Sequence, residues 1–305
     1  MFGKKINPPP LHPGDEVAII SPSYAIEEDK VEKAVKVLAG WGLKVRVGEN
    51  ALKKSGPFAG TDKERLSDLQ DVINDNSVKA VFCSRGGYGL LRIIDRVDFS
   101  PLRKNPKWFV GYSDITVLNL WLSEVCNIVS LHAEMPLHFS GSDRSSETFD
   151  TLRQALFTRT LAWNWKGEAL RGDNAEGELT GGNLSLLYSL MGTKAEPDTR
   201  GKILFIEDAG EYYYSIDRMV TSLRLAGKLD NLAALITGGF SEMHDGKTPW
   251  GKRVEETIFD IVKGYGYPVF TGCPAGHISD NRALIIGGRA KIELTGGEIR
   301  ISYRY

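Results

Sequence analysis

The sequence predicts two α/β-type domains, the first built on a mostly parallel sheet and the second on a mixed sheet. Short apolar runs alternate with helical patterns through the first half of the chain. A polar, glycine-rich texture begins near residue 141, and the strands after it suggest more antiparallel pairing. A length of 305 residues suits two domains, because single cores usually stop growing at about 250 to 300 residues.

Strand and helix patterns alternate in the first half. The helix pattern is clearest at residues 28–40, where Val31, Ala34 and Leu38 recur at helical spacing. The predicted strands are 16–20, 43–47, 79–83 and 108–111, and the predicted helices are 28–40, 62–74, one beginning near 90, and 114–125. This alternation predicts a parallel sheet covered on both faces, with ligands bound beyond the carboxyl ends of its strands.

The second half begins with a polar stretch and a segment rich in glycine, aspartate and glutamate, which we interpret as a linker. We expect a first domain at residues 1–140, a linker at 141–173 and a second domain at 174–305. The predicted elements of the second domain are strands at 202–206, 234–237, 269–270, 290–294 and 299–303, and helices at 215–226 and 253–262.

Composition excludes several classes of partner. The formal net charge of -1 gives no basic surface of the kind that nucleic acid or anionic lipid requires. No apolar run approaches the roughly 18 residues of a membrane span, and no apolar signal segment follows Lys4 and Lys5. The three cysteines match neither a zinc site nor a disulfide framework. We therefore expect a cytoplasmic protein that acts on a small molecule.

Ser113 lies at an abrupt change from strand to helix. The buried pattern of residues 108–111 gives way to a helical pattern directly after the serine, which is typical of a nucleophile elbow. Asp114 and Ile115 follow the serine, so the usual Gly-x-Ser-x-Gly pattern is incomplete. The alternative is a serine that only caps the helix.

A glycine-rich loop, residues 84–89, follows the third strand. It lacks the third glycine of a dinucleotide fingerprint and the lysine of a phosphate-binding loop. We interpret it as part of an oxyanion hole, with one amide from Gly86 or Gly87 and one from Asp114. A tight turn without a ligand remains open as an alternative.

A serine nucleophile needs a base and a carboxylate that orients it. His277 lies in a rigid segment punctuated by glycine and proline, and we predict it as the base. Glu207 follows a buried strand and is predicted to orient the histidine, with Asp208 as the weaker candidate. The more common explanation is that both carboxylates are solvated side chains of a loop without a catalytic role.

A second histidine pair brackets an acid. His132, Glu134 and His138 invite a metal hypothesis. Their spacing is not His-Glu-x-x-His, and Pro136 would interrupt the helix that this motif requires. We therefore predict no metal and no cofactor.

Taken together, six ordered segments resemble the LD-carboxypeptidase family of serine peptidases, the muramoyltetrapeptide carboxypeptidases. They are His-Pro-Gly-Asp at 12–15, Ser-Arg-Gly-Gly-Tyr-Gly at 84–89, Gly-Tyr-Ser-Asp at 111–114, Gly-Gly-Asn-Leu at 181–184, Phe-Ile-Glu-Asp at 205–208, and Gly-His at 276–277 with Asn281. The chain departs from the family's pattern at residues 285–287, where a proline often precedes the glycine.

The resemblance implies a flavodoxin-like, class I glutamine amidotransferase-like first domain that carries Ser113 and a second domain that carries Glu207 and His277. It implies release of terminal D-alanine from a murein tetrapeptide during peptidoglycan recycling, by a cytoplasmic homodimer. Arg85 is our candidate for binding the terminal carboxylate, because guanidinium groups bind carboxylates bidentately.

Two alternatives stay open. The same family includes immunity-type hydrolases that cleave peptidyl or aminoacyl nucleotide antibiotics, for which Trp163, Trp165 or Trp250 could stack a base. The other alternative is a non-catalytic protein that binds a small ligand.

Overall fold

Two β-sheets organise the chain, and the computed structural model describes residues 5–139 and 144–305. The strands are β1 Glu16–Ile20, β2 Lys44–Val47, β3 Val78–Cys83, β4 Trp108–Val110, β5 Ser130–His132, β6 Thr160–Trp165, β7 Ala169–Arg171, β8 Asn174–Asn183, β9 Ile203–Ala209, β10 Ala234–Ser241, β11 Val269–Phe270, β12 Leu284–Ile286, β13 Arg289–Thr295 and β14 Glu298–Arg304. The α-helices are α1 Glu28–Gly40, α2 Asp62–Asn74, α3 Thr116–Leu120, α4 Ser146–Phe157, α5 Leu184–Ser189, α6 Tyr213–Leu225 and α7 Val254–Val262.

The first sheet has the order β12-β5-β4-β3-β1-β2. All pairs from β5 to β2 are parallel, and only β12 runs antiparallel to its neighbour. The order 2-1-3-4-5 of the parallel strands is that of flavodoxin-like folds. The predicted mostly parallel first domain is therefore confirmed.

The second sheet has the order β6-β14-β13-β8-β9-β10-β11-β7. Its centre, β8 to β11, is parallel, and both flanks are antiparallel. The predicted mixed sheet of the second domain is confirmed. Within residues 5–139 and 144–305, no helix has the length and apolar character that a membrane crossing requires.

Strand β12 joins the two halves of the chain, because it comes from the C-terminal half but pairs with β5 in the first sheet, Leu284 opposite His132. Residues 140–143 lie outside the described residues. The rest of the predicted linker forms α4 and two flanking strands of the second sheet, β6 and β7. The domain boundaries at 140 and 173 stay a prediction.

Two predicted helices are wrong in form. The helix expected near residue 90 is a series of short 3₁₀ turns, and extended angles at Val97 (φ -81°, ψ 130°) end the second of them. The helix expected at 114–125 is a 3₁₀ turn, then α3, then a π-helical turn at Trp121–Val125. These segments are only 3 to 5 residues long, so the different side-chain spacings of 3₁₀, α and π turns are too similar over that length for the sequence to distinguish them.

Candidate active site

Ser113 occupies a strained corner between β4 and α3. Its φ of 63° lies in the left-handed region, which is uncommon for a residue with a side chain. A capping serine has extended backbone angles instead, and the residue in the N-cap position of this turn is Tyr112. Strain of this kind concentrates at functional sites. The backbone at Ser113 therefore has the form of a nucleophile elbow.

Gly86 packs directly against this corner. A Cβ built on Gly86 would lie 2.7 Å from Ser113 Cβ, 2.8 Å from Ser113 Oγ and 3.3 Å from the amide nitrogen of Asp114. The next residue, Gly87, has a φ of 108° and lies against the Tyr24 ring. Only glycine at position 86 lets the loop approach the hydroxyl and the amide at this distance.

His277 and Glu207 form a hydrogen-bonded pair. Glu207 is fully buried near the end of β9, and its Oε2 accepts from His277 Nδ1 at 2.7 Å and from the His277 amide at 3.3 Å. A Cβ at Gly276, where φ is 109°, would lie 2.8 Å from Glu207 Cγ. The bond at Nδ1 leaves Nε2 of the imidazole to act as a base.

Opposing effects act on the pKa of His277. Burial alone lowers it, but the charge of Glu207 and its hydrogen bond raise it, and the charges of Asp208 and Glu134 add to this. Together they hold the pKa of His277 above its ordinary value of 6.5. The surrounding carboxylates therefore stabilise the protonated form of this imidazole.

Asp208, the weaker candidate acid, contacts other groups. Its carboxylate accepts from Asn183 Nδ2 at 2.8 Å and from the Ser185 amide at 2.9 Å, which ties β9 to the start of α5. Burial, followed by the charge of Glu207, raises the pKa of Asp208 to about 7. Glu207 is the carboxylate that reaches the histidine.

Two contacts bring the elbow to the second domain. The ring of Tyr112 lies 4.9 Å from the His277 ring between centroids, at a near-perpendicular angle. Three residues beyond Ser113, Thr116 Oγ1 accepts from the amide of Asn183 at 3.1 Å. Residues on both sides of the serine in sequence therefore contact the part of the fold that holds Glu207 and His277.

Asp114 anchors the loops around the elbow through its side chain. Its Oδ2 accepts from Ser23 Oγ at 2.6 Å and from the Leu90 amide at 3.0 Å. Burial raises the pKa of Asp114 to about 6, although these two hydrogen bonds oppose the effect. The carboxylate thus ties the end of the glycine loop to the corner that carries Ser113.

Arg85 is half-buried beside the same loop. Its Nη1 donates to the carbonyl of Ala25 at 3.1 Å, and its guanidinium carbon lies 5.8 Å from the centroid of the Tyr24 ring. Its Nε is buried and has no protein hydrogen-bond partner among the described residues. The side chain is oriented by a backbone carbonyl and an aromatic ring.

Two residues of the metal hypothesis, His132 and Glu134, are fully buried. His132 is fully buried, and burial lowers its pKa to about 4. Glu134 forms a buried ion pair with Arg144, with 2.8 Å between Oε2 and Nε. In the part of the chain that the structure describes, no group of three or more histidine, cysteine, aspartate or glutamate side chains is placed to hold a metal ion.

The tryptophans proposed for base stacking differ in position. Trp163 and Trp165 are buried, and their indole nitrogens donate to the carbonyls of Ala283 and Thr271, so neither offers a free face. Trp250 is 37% exposed. The stacking hypothesis is therefore wrong for the first two residues.

Sequence comparison decides the family. Residues 17–133 match the LD-carboxypeptidase N-terminal domain, and residues 176–292 match the LD-carboxypeptidase C-terminal domain. The chain belongs to the LD-carboxypeptidase family. The predicted resemblance is confirmed.

Relatives agree with this family. A probable murein peptide carboxypeptidase of Bacillus subtilis is 38% identical over 295 residues, 95% of this chain and 92% of that protein. The crystal structure of a muramoyltetrapeptide carboxypeptidase from Oxalobacter formigenes matches with a TM-score of 0.87 at 32% identity, covering 95% of this chain and 99% of that one.

Two further matches are to MccF, both at less than 25% identity. MccF in complex with glutamyl sulfamoyl guanosine matches with a TM-score of 0.87 at 21% identity, covering 97% of this chain and 98% of that one. The microcin C7 self-immunity protein MccF of Escherichia coli is 23% identical over 330 residues, covering 97% of this chain and 95% of that protein. Both LD-carboxypeptidases and immunity proteins therefore share this architecture.

Sequence reasoning missed three residues that contact the His277 segment. In the sequence Tyr112 stands out only as part of the elbow, and Arg144 lies in a polar stretch that carries no motif. Asn281 entered only through the family resemblance, yet its Oδ1 accepts from the Gly276 amide at 2.9 Å. No spacing signal links these residues, because the β5–β12 pairing that brings them together is visible only in the fold.

Proposed function

We propose that this chain is a serine carboxypeptidase that hydrolyses the L,D-peptide bond releasing terminal D-alanine from murein tetrapeptide. The observation that carries the proposal is the hydrogen bond between buried Glu207 and His277, held beside a strained serine corner. Membership of the LD-carboxypeptidase family supports the reaction class, and the names of the relatives from Bacillus subtilis and Oxalobacter formigenes support the substrate.

In the proposed mechanism, Nε2 of His277 takes the proton from Ser113, and the serine oxygen attacks the scissile carbonyl. The same imidazole then protonates the departing amine of D-alanine. Glu207 holds the tautomer with its proton on Nδ1 and stabilises the imidazolium, without accepting a proton itself. Water repeats the attack on the acyl-enzyme and frees the tripeptide.

The oxyanion that forms during attack needs donors near Ser113. The closeness of Gly86 to both Ser113 Oγ and the Asp114 amide supports a hole built from the glycine loop and the elbow. Among the described residues, no backbone carbonyl accepts a hydrogen bond from the amide of Gly86 or Gly87, so both amides can donate to a ligand. Losing one such donor typically costs about 3 kcal/mol of barrier.

A carboxypeptidase also binds the terminal carboxylate of its substrate. We assign this role to Arg85, whose guanidinium lies beside the glycine loop and contacts the Ala25 carbonyl rather than an acid. Its remaining donors can form the two parallel hydrogen bonds that carboxylates accept from arginine. Arg85→Met should then raise KM far more than it lowers kcat.

The substrate is tested by offering two compounds to the same enzyme. Wild type and Ser113→Ala are incubated with murein tetrapeptide and with an aminoacyl sulfamoyl adenylate, with and without a chelator, and products are followed by mass spectrometry. Release of D-alanine by wild type only, unchanged by chelator, supports the proposal. Release of the nucleotide without D-alanine would assign the chain to the immunity-type hydrolases, and no turnover would leave a ligand-binding protein.

We further propose that the protein works in the cytoplasm as a homodimer without a cofactor. Murein peptides returned from the wall are met in that compartment, which fits a chain with no membrane-spanning helix among its described residues. Light scattering after size-exclusion chromatography measures the assembly, and a mass of one chain, 33.7 kDa, would contradict the dimer.

A further inference from the structure

A buried ion pair from the first domain lies next to the His277 loop. Glu134 follows β5 and is fully buried, and Arg144 precedes α4 with only 9% of its side chain exposed. Glu134 Oε2 lies 2.8 Å from Arg144 Nε, and Glu134 Oε1 accepts from the Met135 amide at 3.0 Å. Burying two charges is costly, so a pair of this kind needs a reason beyond stability.

The pair reaches the backbone of the loop that carries the histidine. Arg144 Nη1 donates to the carbonyl of Ile278 at 3.0 Å, directly after His277. On the other side, Asn281 Oδ1 accepts from the Gly276 amide at 2.9 Å. The His277 amide itself donates to Glu207. The backbone is therefore fixed before, at and after the imidazole.

Arg144 and Glu134 also face Tyr112. Burial raises the pKa of the Tyr112 hydroxyl well above its usual range; the charge of Glu134 adds to this, and Arg144 opposes it. The Tyr112 ring contacts His277 and the residue precedes Ser113. The same guanidinium therefore binds the loop that carries the histidine and acts electrostatically on the residue that precedes the serine.

We propose that Glu134 and Arg144 are positioning residues. The ion pair fixes Arg144, and the hydrogen bond from its Nη1 to Ile278 then holds the His277 loop against the segment carrying Ser113. The proposal rests on the proposed role of His277 as base. A displacement of about 1 Å in a reacting group can cost about 100-fold in rate, so a fixed loop matters to the chemistry.

The charges around His277 give a readout that a purely structural role would not move. Glu207 and Asp208 face the imidazole from β9, Glu134 from the segment after β5, and the neutral rings of His132 and Tyr112 from β5 and the elbow. The carboxylates raise the pKa of His277, against the lowering effect of burial. Removing the charge of Glu134 therefore lowers it.

Two variants separate charge from geometry. Glu134→Gln should lower the pKa of His277 and, with tetrapeptide as substrate, reduce kcat by about 100-fold at nearly unchanged KM. Arg144→Lys keeps the positive charge beside Glu134. A lysine has no guanidinium, so it cannot bind Glu134 and the Ile278 carbonyl at the same time. It should reduce kcat and leave the pKa of His277 in place.

The matched control is Glu124→Gln. Glu124 belongs to another partly buried ion-pair cluster, 3.2 Å from Lys202 and 3.6 Å from Lys5. Lys202 precedes β9, and Glu207 lies near the opposite end of that strand, about 16 Å away at 3.3 Å per residue. The control should lower Tm and leave kcat and the pKa of His277 unchanged.

The measurements are kcat and KM across pH, together with an NMR titration of the His277 imidazole that needs no substrate. Wild-type kcat and an unchanged pKa of His277 in folded Glu134→Gln would overturn the proposal. If Glu134→Gln does not fold, wild-type kcat in Arg144→Lys would overturn it. If wild type releases no D-alanine, the proposed function fails, whereas the titration still tests the effect of the Glu134 charge on the pKa of His277.

Discussion

Replacing Gly86 by alanine adds one carbon atom between the glycine loop and Ser113, and so tests whether their close packing is needed for activity. The added Cβ would lie 2.7 Å from Ser113 Cβ, whereas carbon atoms pack best at about 3.5 to 4.0 Å. Ser113 must therefore retreat by about 1 Å. The neighbour is no flexible side-chain end, because Ser113 lies in a strained backbone conformation and the Asp114 amide follows at 3.3 Å.

A displacement of about 1 Å between reacting groups costs about 100-fold, or about 2.7 kcal/mol of barrier. We therefore expect Gly86→Ala to lower kcat for D-alanine release by about two orders of magnitude. KM should change little, because the added methyl group faces the serine. Overpacking typically destabilises a fold by about 1 to 3 kcal/mol, so the variant should still fold at assay temperature.

The control is Gly40→Ala at the end of α1, where an added Cβ meets nothing within 4 Å. It should keep the kcat and KM of wild type and leave Tm unchanged or slightly higher, because alanine is favoured over glycine in a helix. The assay is D-alanine release measured at saturating tetrapeptide, with circular dichroism as the check on folding. A folded Gly86→Ala enzyme with the kcat of wild type would refute the placement of the glycine loop against the nucleophile.

Three further predictions concern the titrating groups. The rate kcat/KM should rise with pH through a midpoint above 6.5, because the base must be neutral and the pKa of His277 is raised; a midpoint below 6 would contradict this. Glu207→Gln should lower kcat by about 10⁴-fold, as loss of the orienting carboxylate does in serine hydrolases, and a near-normal kcat would refute its role. The contribution of His132 to the free energy of unfolding should fall as pH drops from 6.5 towards 4, because burial lowers the pKa of His132 to about 4 and only the unfolded chain takes up the proton there, whereas the raised pKa values of Asp114 and Asp208 act in the opposite direction. The test is therefore the difference in pH dependence between His132→Phe and wild type. His132→Phe should remove up to about 3 kcal/mol of that decline, and an unchanged pH dependence in urea titrations would contradict the assignment.

Much of the fold was predictable because local signals agree with tertiary structure. The strand at residues 16–20 and the helices at 28–40 and 62–74 have the bounds that apolar periodicity predicts. The parallel order of the first sheet follows from strands that alternate with helices. The sequence does not predict strand β8, because Gly177, Gly181 and Gly182 make the segment resemble a loop, although it lies in the centre of the second sheet.

The site was predictable only as a set of candidates. The strand-to-helix change at Ser113 and the strand ending near Glu207 are visible in the sequence, but the φ of 63° and the 2.7 Å bond to His277 are not. The angle depends on packing between the elbow and the glycine loop, and the bond depends on the approach of the segment after β11 to β9. The role of Glu134 and Arg144 cannot be predicted from the sequence, because Arg144 binds the backbone carbonyl of Ile278, and any residue at that position would supply the same group.

The nucleophile is tested most directly with Ser113→Ala and murein tetrapeptide. Calorimetry measures the affinity of the variant, and mass spectrometry measures D-alanine over hours at high enzyme concentration. We predict an affinity close to that of wild type with D-alanine release lost. Release at the rate of wild type from the alanine variant would show that another group attacks the peptide bond, and the proposed mechanism would be wrong.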